Sequence, residues 1–286
     1  MQTLLEFSCC QQPRFNACLR RVILAVLIAT GGCSSPAQKF DYTAASLGLE
    51  RRVVTGTTFQ HVVFWHRADV RRETLHVYLD GDGTPVRDGR ATEDPTPRNT
   101  LMLNLLALDP GPAVYIGRPC YHGQMRAREC SDDLWTTARY SDRVVSSLAD
   151  TLKSIMAVGP YDGLAFFGHS GGGTLAMLLG ERFPNTKAII TIAANLDIDA
   201  WADHHDIPRL SASLNPVARR PIQGVLQRHY VGSHDHIVPR AIVTRSISAA
   251  NSELMVIEGY DHLCCWESLW PTILRDVTII ENMEIR

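Results

Sequence analysis

The chain has 286 residues, with 28 Lys and Arg against 30 Asp and Glu, giving a formal charge of −2. That balance argues against a nucleic-acid partner, which would call for a strongly basic surface. An apolar fraction of 45% supports a sizeable core, and after residue 50 no Pro-, Gly- or Ser-rich linker, internal repeat or low-complexity run divides the chain.

In chain order, Arg14, Arg20 and Arg21 precede a short apolar run at residues 22–29. The run is too short to span a bilayer and has the layout of an export signal. Thr30-Gly-Gly-Cys33 follows and resembles a bacterial lipobox, with threonine where leucine is usual. The resemblance implies a signal peptide over 1–32, lipid on Cys33, a tether over 33–49 and a folded domain over 50–286. It places the protein in the cell envelope, lipid-anchored to a membrane. Ser34 resembles the sorting signal for the outer membrane, with the domain on the periplasmic side or at the surface. An ordinary cleaved signal peptide is the alternative.

Residues 60–65 and 75–79 read as early strands, the second ending in Asp80-Gly-Asp-Gly83. Residues 113–117 read as the next strand, and 141–158 as a helix with Val144, Val145, Leu148, Leu152 and Ile155 at helical spacing. Leu164-Ala-Phe-Phe is a short apolar strand that runs into Gly168-His-Ser-Gly-Gly172 and then an apolar helix. Residues 188–193 form a further strand, and 194–228 leave room for a small cap. A strand at 229–231 leads to a loop carrying Asp235, followed by a helix over 240–250. A strand from Glu253 leads to a loop carrying His262, then a helix over 267–280 started or interrupted near Pro271.

The chemistry gathers at three of these turns. A serine between flanking glycines, at a strand-to-helix turn, is pushed up and out with a helix N-terminus behind it. Serine needs a base to become a nucleophile, and the base needs an orienting acid. Asp235 and His262 follow Ser170, each just past an apolar strand, where catalytic groups of open α/β sheets collect. Asp197, Asp199 and Asp261 are rival acids. Asp261 is disfavoured because neighbours on one loop rarely aim their side chains at each other.

With these residues the chain resembles the α/β-hydrolases. Gly168-His169-Ser170-Gly171-Gly172 matches their nucleophile elbow, Gly232-Ser-His-Asp235-His-Ile-Val-Pro239 their acid loop, and Gly259-Tyr-Asp-His262 their histidine loop. More narrowly, the motifs at 80–83, 94–99, 117–121 and 262–266 are similar to those of bacterial lipoproteins with a hydrolase-like domain. The resemblance implies a mostly parallel central sheet flanked by helices, with a small cap after the sixth strand. It implies an esterase- or lipase-like serine hydrolase cleaving a small-molecule ester or related acyl bond, with Ser170, Asp235 and His262 as catalytic residues and no cofactor or metal. It places the oxyanion hole on the backbone N–H groups of Gly171 and Asp82, with Gly81 as a neighbouring candidate. Where many relatives have His-Gly, this chain has Asp80-Gly81, and a carboxylate there is unfavourable unless it points away or is paired, with Arg118 or Arg98 as the candidate partners. A non-catalytic envelope protein that binds through the same fold is the alternative.

Of eight cysteines, Cys9, Cys10 and Cys18 precede the cleavage site and Cys33 is the anchor. The remaining four allow three pairings. Cys120 and Cys130 bracket a polar loop suited to a local disulfide, whereas adjacent Cys264 and Cys265 are either bridged or two buried thiols. His204, His205, His234 and His236 lack the convergent acids or cysteines of a zinc site and read as pocket lining. Trp135, Tyr140 and Trp201 are aromatic candidates for the same pocket.

Overall fold

The computed structural model describes residues 34–67, 70, 72–247 and 251–283, and Ser35–Arg286 forms one compact unit. Cys33 and the segment 1–32 lie outside the described residues. The sequence Ser35-Pro-Ala-Gln38 starts a helix where a tether was expected. Ser35 accepts from the Gln38 N–H and Gln38 returns the bond, a reciprocal cap with proline in the first turn. This helix, α1 (Pro36–Ser46), buries Phe40 and Ala44. After it come β1 (Glu50–Thr55) and β2 (Gln60–His66), an antiparallel pair. Then follow β3 (Thr74–Leu79), a small hairpin of β4 (Val86–Arg87) and β5 (Arg90–Ala91), α2 (Leu101–Ala107) and β6 (Ala113–Ile116). The elements α3 (Asp142–Val158), β7 (Gly163–His169), α4 (Gly171–Gly180) and β8 (Thr186–Ile192) build the centre. The small cap holds α5 (Ile198–His204), and β9 (Leu226–Gly232), α6 (Arg240–Arg245), β10 (Ser252–Ile257) and α7 (Trp266–Met283) complete the fold. The last helix runs through Pro271 rather than starting there.

Eight strands form one sheet in the order β1-β2-β6-β3-β7-β8-β9-β10. From β6 to β10 every neighbouring pair is parallel, and only β1 and β2 run against their neighbours. β3 and β7 are buried along their whole length, as expected of central parallel strands covered on both faces. Phe166 and Ile189 face a core shared with Val145 and Leu148 of α3 and Leu175 of α4. Phe167 and Ile190 face the opposite core, with Phe40 of α1, Leu105 of α2 and Trp270 of α7. Six parallel strands end at one rim, so the loops after Leu79, Ile116, His169, Ile192, Gly232 and Ile257 gather there. That rim is where open α/β sheets place their ligands.

Candidate active site

Ser170 sits between β7 and α4 with φ 53° and ψ −124°, a strained conformation for a non-glycine residue. The surroundings enforce it. The Ser170 N–H donates to Ile192 O at 3.0 Å, and the Ser170 carbonyl accepts from Gly173 at 3.0 Å and Asn195 at 3.2 Å. A Cβ at Gly172 would lie 2.1 Å from the carbonyl oxygen of Leu79, so helix and strand meet where only glycine fits. The side chain is half-buried, and among the described residues its hydroxyl makes no hydrogen bond.

His262 Nδ1 lies 3.0 Å from Asp235 Oδ2 and 3.2 Å from Oδ1. A carboxylate only accepts, so Nδ1 carries the proton and Nε2 keeps its lone pair. Asp235 is held in turn by the N–H groups of Ile237 at 2.9 Å and Val238 at 2.8 Å. The rival acids are turned elsewhere. Asp261 accepts from Leu263 and Cys264 on its own loop. Asp197 caps α5, and both Asp197 and Asp199 accept from Asn215. His169, next to the serine, donates through Nε2 to the His262 carbonyl at 2.9 Å, and the two rings are 4.8 Å apart. The histidine loop is thereby tied to the elbow. Burial pushes His262 below the ordinary imidazole value, Asp235 offsets part of that, and His169 adds to it.

On the other side of Ser170 lies Asp80-Gly-Asp-Gly83. The Gly81 N–H donates to Asp80 Oδ1 at 2.7 Å, while the N–H of Asp82 is given to no group among the described residues. Of the two candidate donors, Asp82 is therefore the one available. Its carboxylate pairs with Arg118 and Arg139, each at 2.8 Å, and accepts from Tyr140 at 2.6 Å. Burial would raise this carboxyl, and the two arginines more than offset it, holding it below the usual carboxylate range. Arg98 instead meets Thr84. Arg139 had no signal in the sequence, since 57 positions separate it from Asp82.

A disulfide joins Cys120 and Cys130 with the Cα atoms 5.7 Å apart. Cys264 and Cys265 are bonded to each other, and both are exposed rather than buried. Trp135 is buried in the core and Tyr140 lies on Asp82, so neither is an open pocket wall. Trp201 and His205 both donate to the Ile237 carbonyl and brace the acid loop. Among the described residues no cluster of three or more His, Cys, Asp or Glu could hold a metal ion. Among them, too, no helix is long and apolar enough to cross a membrane.

No family model and no curated protein matches the sequence. Solved structures do resemble it. A candidate lipase from Acinetobacter baumannii superposes with a TM-score of 0.59 at 13% identity, covering 89% of this chain and 99% of that one. An esterase from Pyrococcus furiosus gives 0.58 at 13% identity, over 89% and 95%. A bacterial membrane phospholipase A gives 0.56 at 12% identity, over 95% and 97%. The strand order, the sharp turn at Ser170 and these likenesses agree: the chain has the α/β-hydrolase fold.

Proposed function

We propose that the protein is a serine hydrolase that cleaves an ester or related acyl bond through an acyl-enzyme. The observation that carries this reading is the Asp235–His262 pair, 3.0 Å apart, tied by His169 to the strained serine turn. Ser170 Oγ attacks the acyl carbon while His262 Nε2 takes its proton. Asp235 stabilises the imidazolium that results. The oxyanion is received by the N–H groups of Gly171 and Asp82. His262 then gives the proton to the leaving group, and water, activated by the same imidazole, releases the acid. The names of the similar structures, an esterase and a phospholipase among them, fit this class of reaction without choosing the substrate.

A fluorophosphonate probe tests the reading, followed by a panel of p-nitrophenyl esters, thioesters and peptides. Labelling of the wild-type chain and not of Ser170→Ala is expected. Absence of labelling, or full activity in a folded Ser170→Ala variant, would overturn it. The lipobox-like Thr30-Gly-Gly-Cys33 further supports a lipid-anchored enzyme of the cell envelope. Two or more acyl chains on Cys33 would give stable membrane attachment. Cys33→Ser should then leave the protein unprocessed or free of the membrane fraction, and a soluble wild-type chain with another mature N-terminus would refute the anchor.

A further inference from the structure

We propose that the Asp82 carboxylate is a positioning group that presets the oxyanion hole, an inference that rests on the serine-hydrolase reading above. The loop after β3 is pinned on both sides of one peptide. Arg118 Nη2 donates to the Asp80 carbonyl at 3.3 Å, and Tyr121 OH donates to the Asp82 carbonyl at 3.0 Å. The peptide between them carries the Asp82 N–H, and that N–H has no partner among the described residues. The residue just before it lies against Ser170: a Cβ at Gly81 would come 3.2 Å from Ser170 Cβ and 3.6 Å from Ser170 Oγ.

The Asp82 side chain closes the same assembly from the other side. A Cβ on Gly171 would lie 2.1 Å from Asp82 Oδ1 and 2.3 Å from Tyr140 OH, so carboxylate and phenol press directly on the residue that supplies the other oxyanion donor. Asp82 thus contacts Gly171 through its side chain while its own backbone N–H remains available. A carboxylate so near a developing negative charge would oppose catalysis if left bare. Here Arg118 and Arg139 give the cluster with Asp82 a net positive charge. The remaining charge, on Asp80, is tied to the Gly81 N–H and lies 3.9 Å from His169 Nδ1.

Arg118 shows how firmly the assembly is built. Its side chain is 5% exposed and stacks over the rings of Tyr140 and Tyr121 at 5.3 and 5.9 Å, with Nε and Nη1 buried without a hydrogen-bond partner. A guanidinium placed there depends on its carboxylate, since removing one member of a buried pair leaves the other uncompensated. Asp82 therefore holds Arg118 in place, and Arg118 holds the Asp80 carbonyl that orients the neighbouring peptide.

The test compares the full-length wild-type chain with Asp82→Asn, Tyr140→Phe and Ser170→Ala. It measures kcat and KM on p-nitrophenyl acetate, the rate of Ser170 phosphonylation by a fluorophosphonate, and the melting temperature. Asp82→Asn is expected to lower kcat and the phosphonylation rate together by about 10- to 100-fold, with KM within about twofold, because the hole acts on the transition state. Tyr140→Phe keeps every charge and removes one hydrogen bond, so it folds where Asp82→Asn fails to; a parallel loss of about 3- to 10-fold is expected. Two results overturn the inference alone: wild-type rates in the folded variants, or losses that only track the fraction of folded protein. A wild-type chain that the probe does not label overturns the hydrolase reading and this one together.

Discussion

Around Ser170 the packing is so close that a methyl group fits at neither Gly171, against side chains, nor Gly172, against backbone, whereas the loop around His262 is mostly exposed and held by hydrogen bonds. The first region gets its shape from main-chain contact between β3, β7 and α4. The second gets it from Asp235, from the bonds Asp261 makes within its loop, from the tie through His169, and from the Tyr260 carbonyl, which accepts from the His234 N–H. The proposed chemistry is thus shared between a part shaped mainly by close packing and a part held mainly by hydrogen bonds. Substitutions at the glycines of the first region should cost stability, and side-chain substitutions in the second should cost rate.

The largest expected effect belongs to Ser170→Ala, which removes the proposed nucleophile with little change in packing. Its kcat should fall by about 10⁴- to 10⁶-fold at an unchanged melting temperature. Asp235→Asn should follow, with a loss of about 10³- to 10⁴-fold, since the imidazole loses both its tautomer and its countercharge. A stability loss in Asp235→Asn as large as that of a core mutation would show that the histidine loop is less independent than the contrast implies.

Gly172→Ala sharpens the other side. Its methyl group meets the Leu79 carbonyl, a backbone atom that cannot swing away, so unfolding free energy should drop by about 1–3 kcal/mol. Urea unfolding measures this, and an unchanged midpoint would mean that the elbow is looser than its contacts indicate.

Of these two regions the elbow was the more legible in the sequence. Glycines at 168, 171 and 172 between an apolar strand and an apolar helix have few other uses. Asp235 and His262 could be placed from the strand ends that precede them. The arginine partners could not be read in full. Arg118 was a candidate by charge alone, while Arg139 meets Asp82 across 57 positions from the segment just before α3. β1 was missed because most of its residues are exposed and carry no alternating pattern. α2 was missed because a short helix buried on nearly every side has no polar stripe. α1 did leave a signal in Ser35, Pro36 and Gln38, masked by the lipobox-like motif beside it, which implies a tether there.

The smallest expected effects are those of pH. His262 must be neutral to act as a base, and its pKa is lowered, so the acid limb of kcat/KM should have its midpoint below about 6.5. Asp235→Asn removes a raising influence and should move that limb further to acid. Stability follows a separate set of rings. Burial lowers His61 and His229 to about 4 and His122 to about 3. The unfolded chain takes up these protons first, so the contribution is full above about pH 6.5 and is lost as pH falls toward 4. Urea midpoints at pH 7.5 and pH 5 should differ in that direction, and equal midpoints would place these rings in contact with water.

α1 also sets a length. Ser35 caps it and Pro36 begins it, so three residue steps separate Cys33 from the first turn of a helix whose Phe40 is locked into the core. A fully extended chain covers about 3.5 Å per residue, or about 10 Å over that gap. For a molecule fastened at Cys33 this is a short leash, comparable to the depth of a lipid headgroup layer. With the proposed anchor in place, the domain would stay within a molecular diameter of the bilayer surface, meeting molecules that lie in or leave the membrane before those dissolved farther away.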